Sequence, residues 1–98
     1  TYNDLNPRFL FCCNLLRTEP EVNYHCHDFI EFAIILKGKT TFRIDEQLYD
    51  VEEGSVILLN PGTYHQSLPT DGTSVREFYL AFSDVPGGIF RFLRIISL

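Results

Sequence analysis

The apolar runs of this chain are all short, and each is closed by turn-forming residues. They fall at 8–16, 22–25, 31–37, 40–44, 48–51, 55–59, 65–68, 75–83 and 89–96. Between them stand breakers such as Glu19 with Pro20, Gly38 between two lysines, Glu52-Glu53-Gly54, Asn60-Pro61-Gly62, Asp71 with Gly72, and Pro86-Gly87-Gly88. Glycine, proline, asparagine and aspartate bend the backbone or remove a donor, so a regular alternation of this kind leaves little room for helices. Short strands at even spacing pack as a sandwich or a barrel. The runs are rich in Phe, Ile, Val, Tyr and Thr, residues that fit a pleated, half-buried surface. Two runs also satisfy helical spacing, through Phe9, Cys12, Cys13 and Leu16 and through Ile89, Phe92, Leu93 and Ile96; both are read as strands. Phe42 and Ile44, then Leu48 and Tyr49, predict a hairpin about Asp45 and Glu46. That turn lacks the glycine a two-residue loop prefers, which leaves a longer loop open.

The chain has 98 residues, enough for one domain with one core. With 45% hydrophobic and 14% aromatic residues it carries ample material for that core. Its formal charge is −5 and its lysines and arginines are scattered, so this segment by itself lacks the basic surface that binding a phosphate backbone requires. No apolar run approaches the roughly 20 residues of a membrane-spanning helix, and the first residues are too polar for a signal peptide, so a cytoplasmic protein is expected. Cys12, Cys13 and Cys26 form an odd set without a CxxC pair, which suits reduced thiols serving as small packing residues. The chain contains no Met and ends on Ile95, Ile96, Ser97 and Leu98, an apolar ending expected of a piece of a longer protein.

The residues that carry chemistry lie in two places. His25 and His27 are two apart, so on a strand both imidazoles project to one face while Cys26 points away. Glu31 follows and opens a run that ends at Gly38. Far downstream, Gly54 precedes a five-residue apolar strand, then Asn60, Pro61 and Gly62 make a turn before Thr63, Tyr64 and His65.

These stretches resemble the two motifs of the cupin superfamily, HxHxxxExxxxxxG and GxxxxxPxGxxH. The first is matched from His25 to Gly38. The second fits from Gly54 to His65, with Asn60 at the usual proline place and Pro61 beside it. Glu19 stands where a leading glycine often sits and Pro69 where an asparagine often follows; neither removes a ligand. The resemblance implies an all-β double-stranded β-helix, a jelly-roll barrel whose mouth gathers His25, His27, Glu31 and His65. Three neutral imidazoles and a carboxylate suit a divalent Zn, Ni, Fe, Mn or Co ion, and equally a hydrogen-bonded organic ligand, so the two readings stand side by side. Tyr64, beside the mouth histidine, is a further ligand-binding candidate, and Arg43 a weaker one. Asp28, Asp50 and the Glu52, Glu53 turn read as solvated charges.

Within the superfamily the wording is most similar to the sensor domain of arabinose-operon (AraC) type transcription regulators. His27-Asp28-Phe29-Ile30-Glu31-Phe32, Ile34-Ile35-Leu36-Lys37-Gly38, Leu58-Leu59-Asn60-Pro61-Gly62 and Phe78-Tyr79-Leu80-Ala81-Phe82-Ser83 carry that likeness. It implies a small-molecule effector, such as a sugar or an organic acid, bound in the barrel, and DNA binding through a separate C-terminal helix-turn-helix domain. The alternative is a small metal-dependent cupin enzyme, a dioxygenase or isomerase. No nucleophile elbow or phosphate-cradling loop is present, so no catalytic residue is assigned. Finally, Glu31, Ala33 and Ile35 are expected to face the pocket, yet Phe32, Ile34 and Leu36 opposite them are just as apolar. A sheet wet on one face would alternate with polar residues, so a cover is needed, either the other sheet with the N-terminal segment or a partner chain, and a homodimer is expected.

Overall fold

A computed structural model describes residues 8–83 and 94–97. Every regular element among them is a strand: β1 Arg8–Arg17, β2 Ile30–Ile44, β3 Gln47–Glu52, β4 Ser55–Leu59, β5 His65–Leu68, β6 Val75–Ser83 and β7 Arg94–Ser97. The all-β expectation is met, and the helix-compatible segment after Arg8 is a strand. In the last run, only 94–97 falls among the described residues, so Ile89, Phe90, Phe92 and Leu93 lie outside them.

β2 organises the barrel. Its first half pairs with β6 on one side and β4 on the other, giving the order β1-β6-β2-β4-β7, and its second half pairs with β3 and β5. All pairings are antiparallel. The breaker Lys37-Gly38-Lys39 does not end a strand, contrary to expectation; it bends one. The register slips between Ile35 and Lys37, and Gly38 adopts φ +89°. A Cβ there would lie 2.7 Å from the Ser74 carbonyl oxygen, so close backbone approach, as well as the positive φ, selects glycine. The bend turns one strand from the first sheet into the second.

The hairpin joining β2 and β3 is a two-residue turn, with Asp45 at φ 47° and Glu46 at φ 71°. Both lie in the left-handed region that non-glycine residues avoid. Tertiary bonds hold them there. Asp45 N donates to the Tyr64 carbonyl at 3.0 Å, Glu46 N donates to the Tyr24 hydroxyl at 2.9 Å, and Arg43 Nη2 donates to Glu46 Oε2 at 2.9 Å.

Alternation along β2 sorts its side chains as expected. Glu31, Ala33 and Ile35 are buried, while Phe32 and Ile34 are half-buried and Leu36 is exposed. The core joins Ala33, Ile35, Phe42, Ile44, Val51, Ile57, Leu59, Val75 and Tyr79. Phe82 is only half-buried; it packs edge-on against Phe9 and Phe32 on the outer face. The expected burial of the cysteines is also corrected: Cys12 and Cys13 are exposed because β1 is an edge strand, and all three thiols are free.

Candidate metal and ligand site

Two of the three histidines lie in the segment between β1 and β2, where local structure alone would not place them. Backbone pairing with β5 does. Glu21 N donates to the Ser67 carbonyl at 2.9 Å; further along, His25 N donates to His65 O at 3.1 Å and His65 N to His25 O at 2.8 Å. Residues that exchange both bonds in an antiparallel pair carry their side chains on one face. His27, two residues on, shares the face of His25, and Gly62 N fixes its carbonyl at 2.7 Å. The ring centroids form a near-equilateral triangle, with separations of 4.5, 4.9 and 5.0 Å, and one ligand nitrogen from each lies within 4.8 Å of the others.

Glu31 completes the group from β2, its Oε1 standing 3.5 Å from His27 Nε2 and 3.6 Å from His65 Nε2. The tautomers are set from behind. His25 Nδ1 lies 2.9 Å from the Asn23 carbonyl and His65 Nδ1 2.9 Å from the Thr63 carbonyl. Carbonyl oxygens only accept, so each Nδ1 carries the proton and each Nε2 lone pair points inward. His65 Nε2 is buried without any hydrogen-bond partner. A buried acceptor left unmade costs roughly 1–3 kcal/mol, so this atom marks a place where a partner belongs.

Burial governs the charges. Desolvation holds His65 down at about 4, against a weaker upward pull from its bond to Thr63, so the ring is neutral at pH 7. Desolvation lifts Glu31 to about 7, opposed by His25 and aided by Glu21. It also lowers His27, with His25 adding to the effect. A neutral His65 and a His27 biased the same way, beside a carboxylate reluctant to ionise, are a set that a cation would stabilise. The residues therefore fit a divalent transition metal, which His25, His27, His65 and Glu31 would hold; when bound, such an ion supplies a Lewis-acid centre with open positions for a ligand.

The cavity in front of this group holds about 190 Å³. Its opposite wall is the inward face of β1: Phe11, Cys13, Leu15 and Arg17. Glu21 and Tyr79 also line it, and neither they nor Arg17 were candidate site residues in the sequence. Behind them lies Glu77, fully buried, accepting from Arg17 Nε at 2.9 Å, the Tyr79 hydroxyl at 2.6 Å and the Ser67 hydroxyl at 2.7 Å. Thr40 extends the network to Ser67 at 2.9 Å. Burial by itself lowers the Arg17 pKa, but Glu77 and other neighbours reverse this and keep the guanidinium charged. Burial pushes Tyr79 up, so its hydroxyl stays a donor. A signal for Glu77 was present in the sequence: it occupies an inward position of β6 between Val75 and Tyr79, where a carboxylate needs partners.

Two candidates are not brought to this cavity. Tyr64 is half-exposed, with its ring 5.4 Å from that of Tyr24 on the outside. The turn that aims His65 inward aims its predecessor outward, since neighbours on extended backbone face opposite ways. Arg43 is bonded to Glu46 and stacked 4.0 Å over Tyr24. Asp28 and the Glu52, Glu53 turn are exposed, and Asp50 is an exposed acceptor for Thr41. A larger cavity of about 640 Å³, lined chiefly by hydroxyl residues such as Thr40, Thr70 and Ser74, contains none of the four candidate metal ligands and, among the described residues, no orphaned buried side-chain atom.

Comparison with known proteins agrees with this architecture. The barrel is similar to a cupin protein from Bacteroides fragilis, with TM-score 0.64 and 19% identity, over 80% of this chain and 64% of that one. It is also similar to an RmlC-like cupin family protein with a double-stranded β-helix fold from Methanocaldococcus jannaschii, with TM-score 0.63 and 14% identity, over 78% and 77% of the two chains. In sequence it is similar to the HTH-type transcriptional regulator YdeC of Bacillus subtilis, 39% identical over 49 residues, which is 50% of this chain and 17% of that protein. The model of the AraC-like ligand binding domain matches residues 11–85. The chain is thus a cupin-type barrel and belongs to the AraC-like ligand binding domain family.

Proposed function

We propose that this chain is the effector-sensing part of a transcription regulator, binding a small molecule in the barrel cavity against a divalent transition metal on His25, His27, Glu31 and His65. The observation that carries the reading is the orphaned His65 Nε2, buried, with one ligand nitrogen each of His25 and His27 within 4.8 Å. Ligand occupancy then biases a DNA-binding domain elsewhere in the polypeptide, as the likeness to a helix-turn-helix regulator supports. The home of such a protein is the cytoplasm. Calorimetric titration of the metal-stripped chain with Zn, Ni, Co, Mn and Fe(II), backed by elemental analysis of the loaded protein, tests the metal. One ion per chain, lost in His65→Ala, is expected; no binding by any of the five overturns it.

Self-association is part of the same proposal. The outer face of the first sheet carries part-exposed apolar side chains, with Phe78, Ile34, Val56 and Ile96 paired across one row and Leu80 and Phe32 across the next. A second copy would bury it. Sedimentation velocity at tens of micromolar is expected to give a dimer, and a lone monomer overturns it. The second functional reading, a metal-dependent cupin enzyme, is favoured by the open positions such an ion would keep. Turnover of a bound ligand separates it from sensing.

A further inference from the structure

Glu21 lies outside both motifs, yet it is the most firmly held residue at the cavity mouth. Its backbone N–H donates to the Ser67 carbonyl at 2.9 Å and its own carbonyl accepts from Gln66 Nε2 at 2.8 Å. Its Oε1 accepts from Ser67 N at 2.7 Å. The other oxygen, Oε2, stands 3.8 Å from Arg17 Nη2 and 4.0 Å from His25 Nε2, aimed between them but too far to hydrogen-bond either. Arg17 spends its Nε on Glu77, so both of its Nη groups retain donors without a hydrogen bond, while Glu77, Ser67 and Tyr79 fix the guanidinium from behind. Arg17, Glu21 and His25 line both the inner cavity and an outer one of about 480 Å³, so they stand at the passage between the two.

We propose that Glu21 occupies, with its own carboxylate, the slot of a ligand carboxylate, and that the effector is a small carboxylic acid which displaces it. The proposal rests on the cavity being the effector site, as above. In the exchange the ligand takes the Arg17 Nη fork and the Ser67 N–H, and the Glu21 side chain swings toward the outer cavity. The slot holds one negative charge before and after, which a neutral ligand would not preserve. Arginine's planar fork suits a carboxylate in two-bond contact. Across the cavity, Phe11 and Leu15 accept a short apolar tail. Because Glu21 also fastens the segment carrying His25 and His27 to β5, its release loosens that segment, and occupancy becomes a structural signal.

The test is isothermal titration of the chain, with and without Zn, using lactate and its neutral isostere lactamide. Lactate is expected to bind about tenfold more tightly than lactamide, the difference between a charge-assisted and a neutral hydrogen-bond pair. Glu21→Gln keeps an acceptor for Ser67 N but removes the rival charge; it should tighten lactate about tenfold and leave lactamide unchanged. Arg17→Lys, which retains a cation beside Glu77, should abolish the preference with the melting temperature serving as the check on folding. Equal affinity for lactate and lactamide, or no lactate binding to the Glu21→Gln variant, overturns the proposal. A failure of Zn to bind while lactate still discriminates would instead remove the metal and leave the carboxylate slot standing.

Discussion

Glu31 Oε1 and His65 Nε2 lie 3.6 Å apart, and burial acts on the two groups in opposite senses. Neither is in the charge state it would adopt in the unfolded chain between pH 4.5 and 6.5.

This opposition makes the contributions of these two groups to the pH dependence of stability nearly cancel in the metal-free protein. Glu31, raised from 4.5 to about 7, loses stability as pH climbs through that window, because the unfolded chain ionises first. His65, lowered from 6.5 to about 4, loses stability as pH falls through it, because the unfolded chain takes up the proton first. Each effect is on the order of 2–3 kcal/mol, and together they nearly cancel. Glu31→Gln removes one side of the balance, so its stability should fall steeply on acidification from pH 6.5 to 4.5. Urea unfolding at stepped pH checks this, and a flat profile in the variant would refute it.

A cation in the site must draw the proton from Glu31. Metal binding at pH 6 should therefore release the Glu31 proton, and affinity should rise with pH as Glu31 ionises near 7. Titration calorimetry in two buffers of different ionisation enthalpy counts the protons. His27→Ala should weaken metal binding at least about 100-fold yet change stability by less than about 1 kcal/mol, since its ring is partly exposed, at the cavity mouth, and stacked face to face on Phe29 rather than packed in the core.

Glu77→Ala leaves Arg17 charged and half-buried without its main partner. A loss of about 3–5 kcal/mol is expected, with much of it restored in the Arg17→Met, Glu77→Ala double variant. Chemical denaturation of the single and double variants decides it; strict additivity would mean the pair does not act as a unit.

Ile57 is fully buried and should cost about 2–5 kcal/mol on truncation to alanine. Phe82, half-buried on the outer face, should cost less, about 1–2 kcal/mol, given its remaining exposure. Comparable melting shifts for the two would mean that Phe82 is covered more fully than within the single chain.

Much of the site was legible because its information is local. The two-residue spacing of His25 and His27, the turn before His65 and the alternation of Glu31, Ala33 and Ile35 all follow from the period of extended chain, which needs no knowledge of partners. The motifs then implied that these stretches meet. Tyr64, next to His65 in sequence, lies on the outside, because adjacency on extended backbone means opposite faces.

From its sequence alone this protein is determined to be all-β, cut into short strands by its glycines and prolines, with a histidine and glutamate set at barrel-motif spacing. Tertiary structure alone decided the rest. It bent β2 through Gly38 so that one strand serves two sheets, laid residues 21–25 along β5 so that His25 meets His65, and forced Asp45 and Glu46 into left-handed backbone. It also joined Arg17 to Glu77 across 60 residues and set Glu21 at the cavity mouth. Periodicity dictates which way a side chain points; which side chains it meets depends on pairings between distant strands, and those are selected only when the whole core closes.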